Sequence, residues 1–292
     1  MTEKIKLDIL YSVIIPAYNR AGFILTAVNS VLCQSLRDFE LIVIDDGSTD
    51  ETAGLIEGLD DDRLRYIRQE HSGVSISRNR GLKESRGTFI AFLDSDDRWV
   101  PEKLETVDKA VRAHPEYNIF HTREKWFRHG RHLNHKEIHK KQNGHIFETC
   151  LKLCSVSIST AVINRKIFNE IGDFDETLPV CEDYDFWLRV TSRYPVYLVD
   201  KVLTLKEGGH CDQLSGRYWG MDRFRIKAIS KLIDSGTLDD SKHLTAFREL
   251  EHKCMVYAAG CYKRGKDDEG DMYTQLVEQY RAGVPLTEDL SQ

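Results

Sequence analysis

Three carboxylates, Asp94, Asp96 and Asp97, fall within four residues directly behind the apolar run from Phe89 to Leu93. A run with no polar face fits a strand covered on both sides. Acids crowded at the carboxyl end of such a strand repel one another, and a cation relieves that cost. Open α/β sheets bind ligands at this edge. Asp94-Ser95-Asp96 therefore reads as a metal-holding edge; the plainer alternative is an acidic turn, since Asp is a common turn residue. In an extended chain Asp94 and Asp96 would point the same way, with Cα atoms roughly 6–7 Å apart. A second acidic pair, Glu182-Asp183, opens an apolar helix, where acids also suit the positive helix end. His210 follows two glycines, which allow close backbone approach, and reads as a metal ligand or as an ordinary loop histidine.

The elements that must position these residues alternate. Ser12–Pro16 is a β-branched strand that Pro16 ends, and Gly22–Gln34 carries apolar residues at helical spacing. Phe39–Ile44 is a second strand running into Asp45-Asp46, Leu64–Ile67 a third, and Ser75–Ser85 a helix before the run that opens at Thr88. This alternation predicts a wound, mostly parallel sheet. Right-handed crossovers then bring the strand ends at Pro16, Asp45 and Asp94 to one edge. No GxGxxG follows the first strand, so the dinucleotide fingerprint is missing. Pro101–His114 reads as a helix, and Asn118–Thr122 as a strand followed by a charged surface tract, a lid or acceptor-facing loop. His132, His135 and His139 share helical spacing in that tract, without carboxylates or cysteines to complete a metal site. Ser157–Ile163 reads as a strand, Arg165–Ile171 as a helix, and Tyr197–Val199 and Val202–Leu205 as two short strands. From residue 221 the pattern is amphipathic helix without strand signal, frayed from Val284 on. The predicted divisions are 1–110, 111–215 and 216–292.

The totals exclude several classes. At 292 residues, with 41% hydrophobic and 30% charged residues, the chain can bury a sizeable core. A net charge of -6 disfavours nucleic acid as a partner. No stretch approaches the roughly 18 apolar residues of a membrane span, and the first residues lack a signal-peptide core. The sequence thus points to a cytoplasmic protein, with peripheral contact at the inner membrane face still open. The seven cysteines contain no CxxC pair and read as reduced packing residues.

Val13-Ile-Ile-Pro-Ala-Tyr-Asn-Arg20, Val43-Ile-Asp-Asp-Gly-Ser-Thr-Asp50, Gly73-Val-Ser-Ile-Ser-Arg-Asn-Arg-Gly81, Phe92-Leu-Asp-Ser-Asp-Asp97 and Glu182-Asp183, in that order, resemble glycosyltransferase family 2. The likeness covers about residues 11 to 215. It implies a GT-A fold: a Rossmann-like, mostly parallel α/β sheet flanked by helices, here with a C-terminal helical extension. It implies an inverting, metal-dependent transferase that moves a sugar from a nucleotide-diphosphate donor, UDP by default, to a glycan or glycolipid acceptor in cell-surface polysaccharide synthesis. By the same resemblance Pro16, Ala17 and Tyr18 line the base pocket, Asp45 or Asp46 accepts a hydrogen bond from the base, and Arg78 and Asn79 lie near the nucleotide. Asp94 and Ser95 face the donor and metal side, Asp96 ligates Mn²⁺ or Mg²⁺ with His210 as a second ligand, and Asp183 is the base with Glu182 beside it. The Gln-x-x-Arg-Trp pattern and membrane helices of processive synthases are missing, since Arg98-Trp99 lacks the upstream Gln. A catalytically silent nucleotide-sugar-binding module is the competing reading, and the C-terminal helices offer a surface for a homo-oligomer.

Overall fold

The computed structural model describes residues 10–134, 139–210 and 218–283. They divide into two compact units. The first holds the described residues up to His145 together with Ser155–Pro179 and Tyr194–His210. The second holds Ile146–Cys154, Val180–Arg193 and the described residues after 217.

The first unit is built on a nine-stranded sheet. Its elements are β1 (Tyr11–Ala17), α1 (Ile24–Leu32), β2 (Phe39–Asp45), α2 (Thr52–Glu57), β3 (Leu64–Arg68), α3 (Val74–Glu84), β4 (Phe89–Phe92), β5 (Arg98–Trp99), α4 (Lys103–Ala113), β6 (Ile119–Arg128), β7 (Arg131–Leu133), β8 (Val162–Asn164), α6 (Lys166–Ile171) and β9 (Tyr197–Gly208). α5 (Phe147–Lys152) and α7 (Glu182–Thr191) belong to the second unit. The strand order is β3-β2-β1-β4-β8-β6-β9-β5, with β7 paired to β6. Pairing is parallel from β3 to β4 and mixed beyond, where β8 runs antiparallel to both β4 and β6.

Both faces of the parallel half are covered, which is why β1, β2 and β4 are buried along their whole length. Val13 and Ile15 on β1 share one core with Leu41, Val43 and Ala91, under Ala27, Val28 and Val31 of α1 and Leu104 and Val107 of α4. Ile14 points to the opposite face, where Gly81 of α3 lies against it. Phe92 points the same way and packs edge-on against Phe168 and Phe174. Each such side chain contributes about 1.5–3 kcal/mol by leaving water.

Four local readings of the sequence are corrected. Pro16 does not end β1; it pairs with Ile44 inside the strand. Ile14 accepts from Leu93 on the β4 side, and β4 pairs with β1 only as far as Ile14. By the two-residue pleat Pro16 faces the side where β4 has already stopped, so its missing N–H costs no ladder bond. The strand starting at Ile119 continues to Arg128 and turns back through His129 and Gly130, both at positive φ, into β7. The first part of the charged tract is therefore a hairpin, and His132 lies on a strand rather than a helix; His135 lies outside the described residues. Ser157–Ile163 is not a strand throughout: Ile158–Thr160 form a 3-10 turn and only then does β8 begin. The two short strands after Tyr197 are one, β9, which carries irregular register against β6 around Thr122 to Glu124.

The second unit is helical: α5 (Phe147–Lys152), α7 (Glu182–Thr191), α8 (Asp222–Asp234), α9 (Asp240–Tyr262) and α10 (Asp267–Arg281). α9 and α10 pack together as a helical hairpin, with Gly270 letting the Tyr262 ring lie close. Ile229, Leu250, Cys254, Tyr257, Tyr273 and Leu276 are buried. Burial pushes the Cys181 and Cys254 thiols up to about 12, which makes them inert packing groups. Among the described residues no helix is long and apolar enough to cross a membrane. The segment from Val284 lies outside the described residues.

Candidate active site

Loops at the carboxyl ends of β1, β2 and β3 are laced together. The Asn19 N–H donates to Ser48 Oγ at 2.9 Å and the Thr49 N–H to Asn19 Oδ1 at 2.8 Å. Asp45 is fully buried and accepts from the Ser48 N–H at 2.9 Å and the Tyr66 hydroxyl at 2.6 Å. Asp46 accepts from Gln69 Nε2 and the N–H groups of Ser72 and Gly73 at 2.7–2.9 Å, and His71 Nδ1 lies 2.8 Å from its Oδ2. Both acids thus spend oxygens on loop architecture. Their order presents the His71 ring against Tyr18, stacked at 3.9 Å between centroids. A side chain at Gly47, φ +77, would meet the His71 backbone at 2.9 Å. Pro16 and Ala17 form the strand end beneath.

The acidic cluster is a turn and not an extended strand end: β4 stops at Phe92, and the Asp97 N–H donates to the Asp94 carbonyl at 3.0 Å. The three acids consequently diverge. Arg78 of α3 donates to Asp94 at 2.8 Å. Lys206 of β9 lies 3.2 Å from Asp97 and 3.9 Å from Asp94. His210 Nε2 lies 2.9 Å from Asp96 Oδ2, with Phe23 packed on the imidazole at 4.9 Å. Ser95 is buried in the turn. Burial opposes ionisation of Asp94, but Arg78 and Lys206 outweigh it and bring its pKa below the ordinary value. Burial and then Asp94 push Asp96 up, and burial pushes Asp97 up to about 7 against the pull of Lys206. Asn79, one residue beyond Arg78, clasps the turn before α7: its amide donates to the Phe174 carbonyl and to Glu176, both at 2.9 Å, and its oxygen accepts from the Phe174 N–H.

Asp96 and His210 suit a divalent cation. They offer one carboxylate oxygen, a donor that suits Mn²⁺ and Mg²⁺, and one imidazole nitrogen. They stand 2.9 Å apart, so both would reach a single cation. The Asp96 carboxylate is held at a cost that a cation would relieve. Among the described residues no third His, Cys, Asp or Glu completes the set.

Glu182 and Asp183 stand in the second unit, in the first turn of α7, whose N-terminal flank is Cys181 at φ 62. Of the three acids there, Asp185 is buried and tied to Arg189 at 2.9 Å and Lys231 at 2.6 Å. Glu182 is also buried. Asp183 keeps partial exposure; it accepts from the Tyr184 N–H at 2.7 Å and from the Cys154 thiol at 3.3 Å.

Sequence reasoning missed His71, Ser159 and Lys206. His71 sits in a plain polar loop with no local signal. Ser159 was hidden in an apparent strand. Lys206 carried a readable one, a charge closing the apolar run Val202–Leu205.

The model of the family described as "Glycosyl transferase family 2" matches residues 12–172, more than half of the chain. The chain belongs to this family. An uncharacterized glycosyltransferase of Rickettsia felis is 32% identical over 212 residues, covering 70% of this chain but 34% of its own length, so the chain spans about a third of that relative. The Escherichia coli protein WfaP, named UDP-Glc:alpha-D-GlcNAc-diphosphoundecaprenol beta-1,3-glucosyltransferase, is 31% identical over 190 residues, covering 63% of this chain and 71% of that one. Among solved structures, S. aureus TarS 1-349 in complex with UDP-GlcNAc aligns with a TM-score of 0.65 at 21% identity, covering 94% of this chain and 92% of that one. That likeness carries the GT-A-type mixed α/β fold of the family and the helical region that follows it.

Proposed function

We propose that this chain is a metal-dependent, inverting glycosyltransferase that moves a sugar from a UDP-sugar to a glycan or glycolipid acceptor in cell-surface polysaccharide synthesis. The observation that carries the reading is the Asp96–His210 pair at 2.9 Å. Asp96 sits on an acidic turn whose other two carboxylates already face Arg78 and Lys206. The names of the WfaP and TarS matches support a UDP-sugar donor, and that of WfaP a lipid-linked acceptor.

Pro16, Ala17 and Tyr18 line the base pocket, with Asp45 and Asp46 ordering its loops and one of the two accepting a hydrogen bond from the base. Arg78 and Asp94 set the charge beside the sugar-bearing phosphates, with Ser95 in the turn and Asn79 holding the neighbouring segment. Asp96 and His210 would hold Mn²⁺ or Mg²⁺ beside the diphosphate. A cation held there offsets the negative charge that builds on the leaving diphosphate. Asp183 takes the proton of the acceptor hydroxyl as its oxygen attacks the anomeric carbon, and Glu182 orients it. The new C–O bond forms as the bond to the diphosphate breaks, so one displacement inverts that carbon.

The purified chain, incubated with a panel of UDP-sugars and Mn²⁺, should release UDP slowly by donor hydrolysis and faster with a matched lipid-linked acceptor. A chain that binds donor yet releases no UDP under any of these conditions is a silent binding module, and the proposal fails.

A further inference from the structure

The acidic turn is fastened at both ends to one residue of a distant turn. The Asp94 N–H, where the turn begins, donates to Ser159 Oγ at 3.1 Å. Trp99 Nε1, on the short strand where the turn ends, donates to the Ser159 carbonyl at 2.8 Å. Lys103 Nζ, fully buried, donates to the same carbonyl at 2.7 Å and to Thr204 Oγ1 at 2.9 Å, and lies 4.4 Å from the Trp99 ring centroid. Thr204 and Lys206 are two apart on β9 and project to the same face, so the knot also aligns the lysine that meets Asp97. Ser159 is itself fully buried and held in the 3-10 turn of Ile158–Thr160. A short polar side chain locked in this way has little freedom to follow a misplaced partner, which is what a supporting group needs.

We propose that Ser159, braced by Lys103, is the positioning residue of the acidic turn, setting where Asp96 stands for the cation it holds. The inference rests on the metal reading above. It is a role through Asp96 and not a contact with substrate, so its test reads metal binding apart from turnover.

Mn²⁺ binding to the full chain with UDP present is measured by electron paramagnetic resonance for wild type, Ser159→Ala, Ser159→Thr and Ser157→Ala. Ser157→Ala removes a hydroxyl from the same segment, one bonded to Glu124 and Lys141 instead. Ser159→Ala should raise the Mn²⁺ dissociation constant about tenfold, as expected for losing an outer-shell partner. Ser159→Thr should restore it to within about threefold, on the same scale, and Ser157→Ala should leave it unchanged. Should Ser159→Ala fail to fold, Ser159→Cys keeps the shape but supplies only a weak acceptor, and it should still weaken binding severalfold. Wild-type binding in Ser159→Ala, or in Ser159→Cys where that variant stands in for it, overturns the inference, as does equal weakening in Ser157→Ala. Wild-type protein that takes up no Mn²⁺ with UDP defeats the metal reading, and this inference with it.

Discussion

In the proposed reaction Asp96 and Asp183, chemically the same group, do different work. Asp96 is desolvated next to Asp94 and faced by an imidazole, so its negative charge is best relieved by a cation. Asp96→Ala should lower kcat on the order of 10²–10³-fold at saturating Mn²⁺, the range for losing one preorganised electrostatic contact. Turnover at the wild-type rate would sink the metal assignment. Asp183→Asn keeps shape and loses basicity, and should lower kcat about 10²–10⁴-fold while UDP binding by calorimetry stays as in wild type. A third acid serves stability. Burial pushes Glu124 up, but Lys141, Lys206 and Ser157 outweigh it and hold it at about 2, with Lys141 at 3.0 Å. Its folded pKa lies below the unfolded value, so its contribution is present above the ordinary glutamate range and is lost as pH falls toward about 2. Glu124→Ala leaves a buried lysine unpaired and should cost about 3–5 kcal/mol in urea unfolding at pH 7. A loss well under 1 kcal/mol would show that Lys141 finds other compensation.

At the scale of elements, the contact of α3 with β1 decides how closely the Arg78-bearing helix approaches the sheet. A Cβ at Gly81 would stand 2.3 Å from Ile14 Cγ2. Gly81→Ala should therefore destabilise by about 1–3 kcal/mol despite better helix propensity. Ile14→Ala should relieve part of this, so the two changes measured together should fall short of their sum. Additive losses would mean that the helix accommodates the methyl by shifting. The parallel half was legible element by element, because its strands are continuous apolar runs and its helices keep one apolar stripe. The mixed half was not. Glu124 and Lys125 in β6 break any apolar pattern, yet Glu124 is buried because Lys141, distant in sequence, neutralises it. Ser159 and Thr160 look like strand residues by composition, yet their backbone closes a 3-10 turn.

For the whole molecule, binding of UDP and Mn²⁺ to the folded chain should raise its melting point. At a free concentration of 100 times the dissociation constant the gain is about 2.7 kcal/mol. The shift should need both components and vanish with Asp96→Ala. An equal shift from UDP alone would place the cation outside the donor complex.

The amino-acid sequence by itself determined the order of strands and helices in the parallel half, the carboxyl-end edge that carries the acids, and Asp94 and Asp96 as candidates. These follow from periodicity and spacing, which are local properties of the chain, whereas Arg78 and His210 entered through the resemblance to the family. Tertiary structure alone decided what each acid faces. The pairing of Asp94, Asp96 and Asp97 with Arg78, His210 and Lys206, and the fastening of their turn to Ser159, join residues from 16 to more than a hundred positions apart. Which partner neutralises a buried charge is set by the element that packs beside it, and no local spacing encodes that.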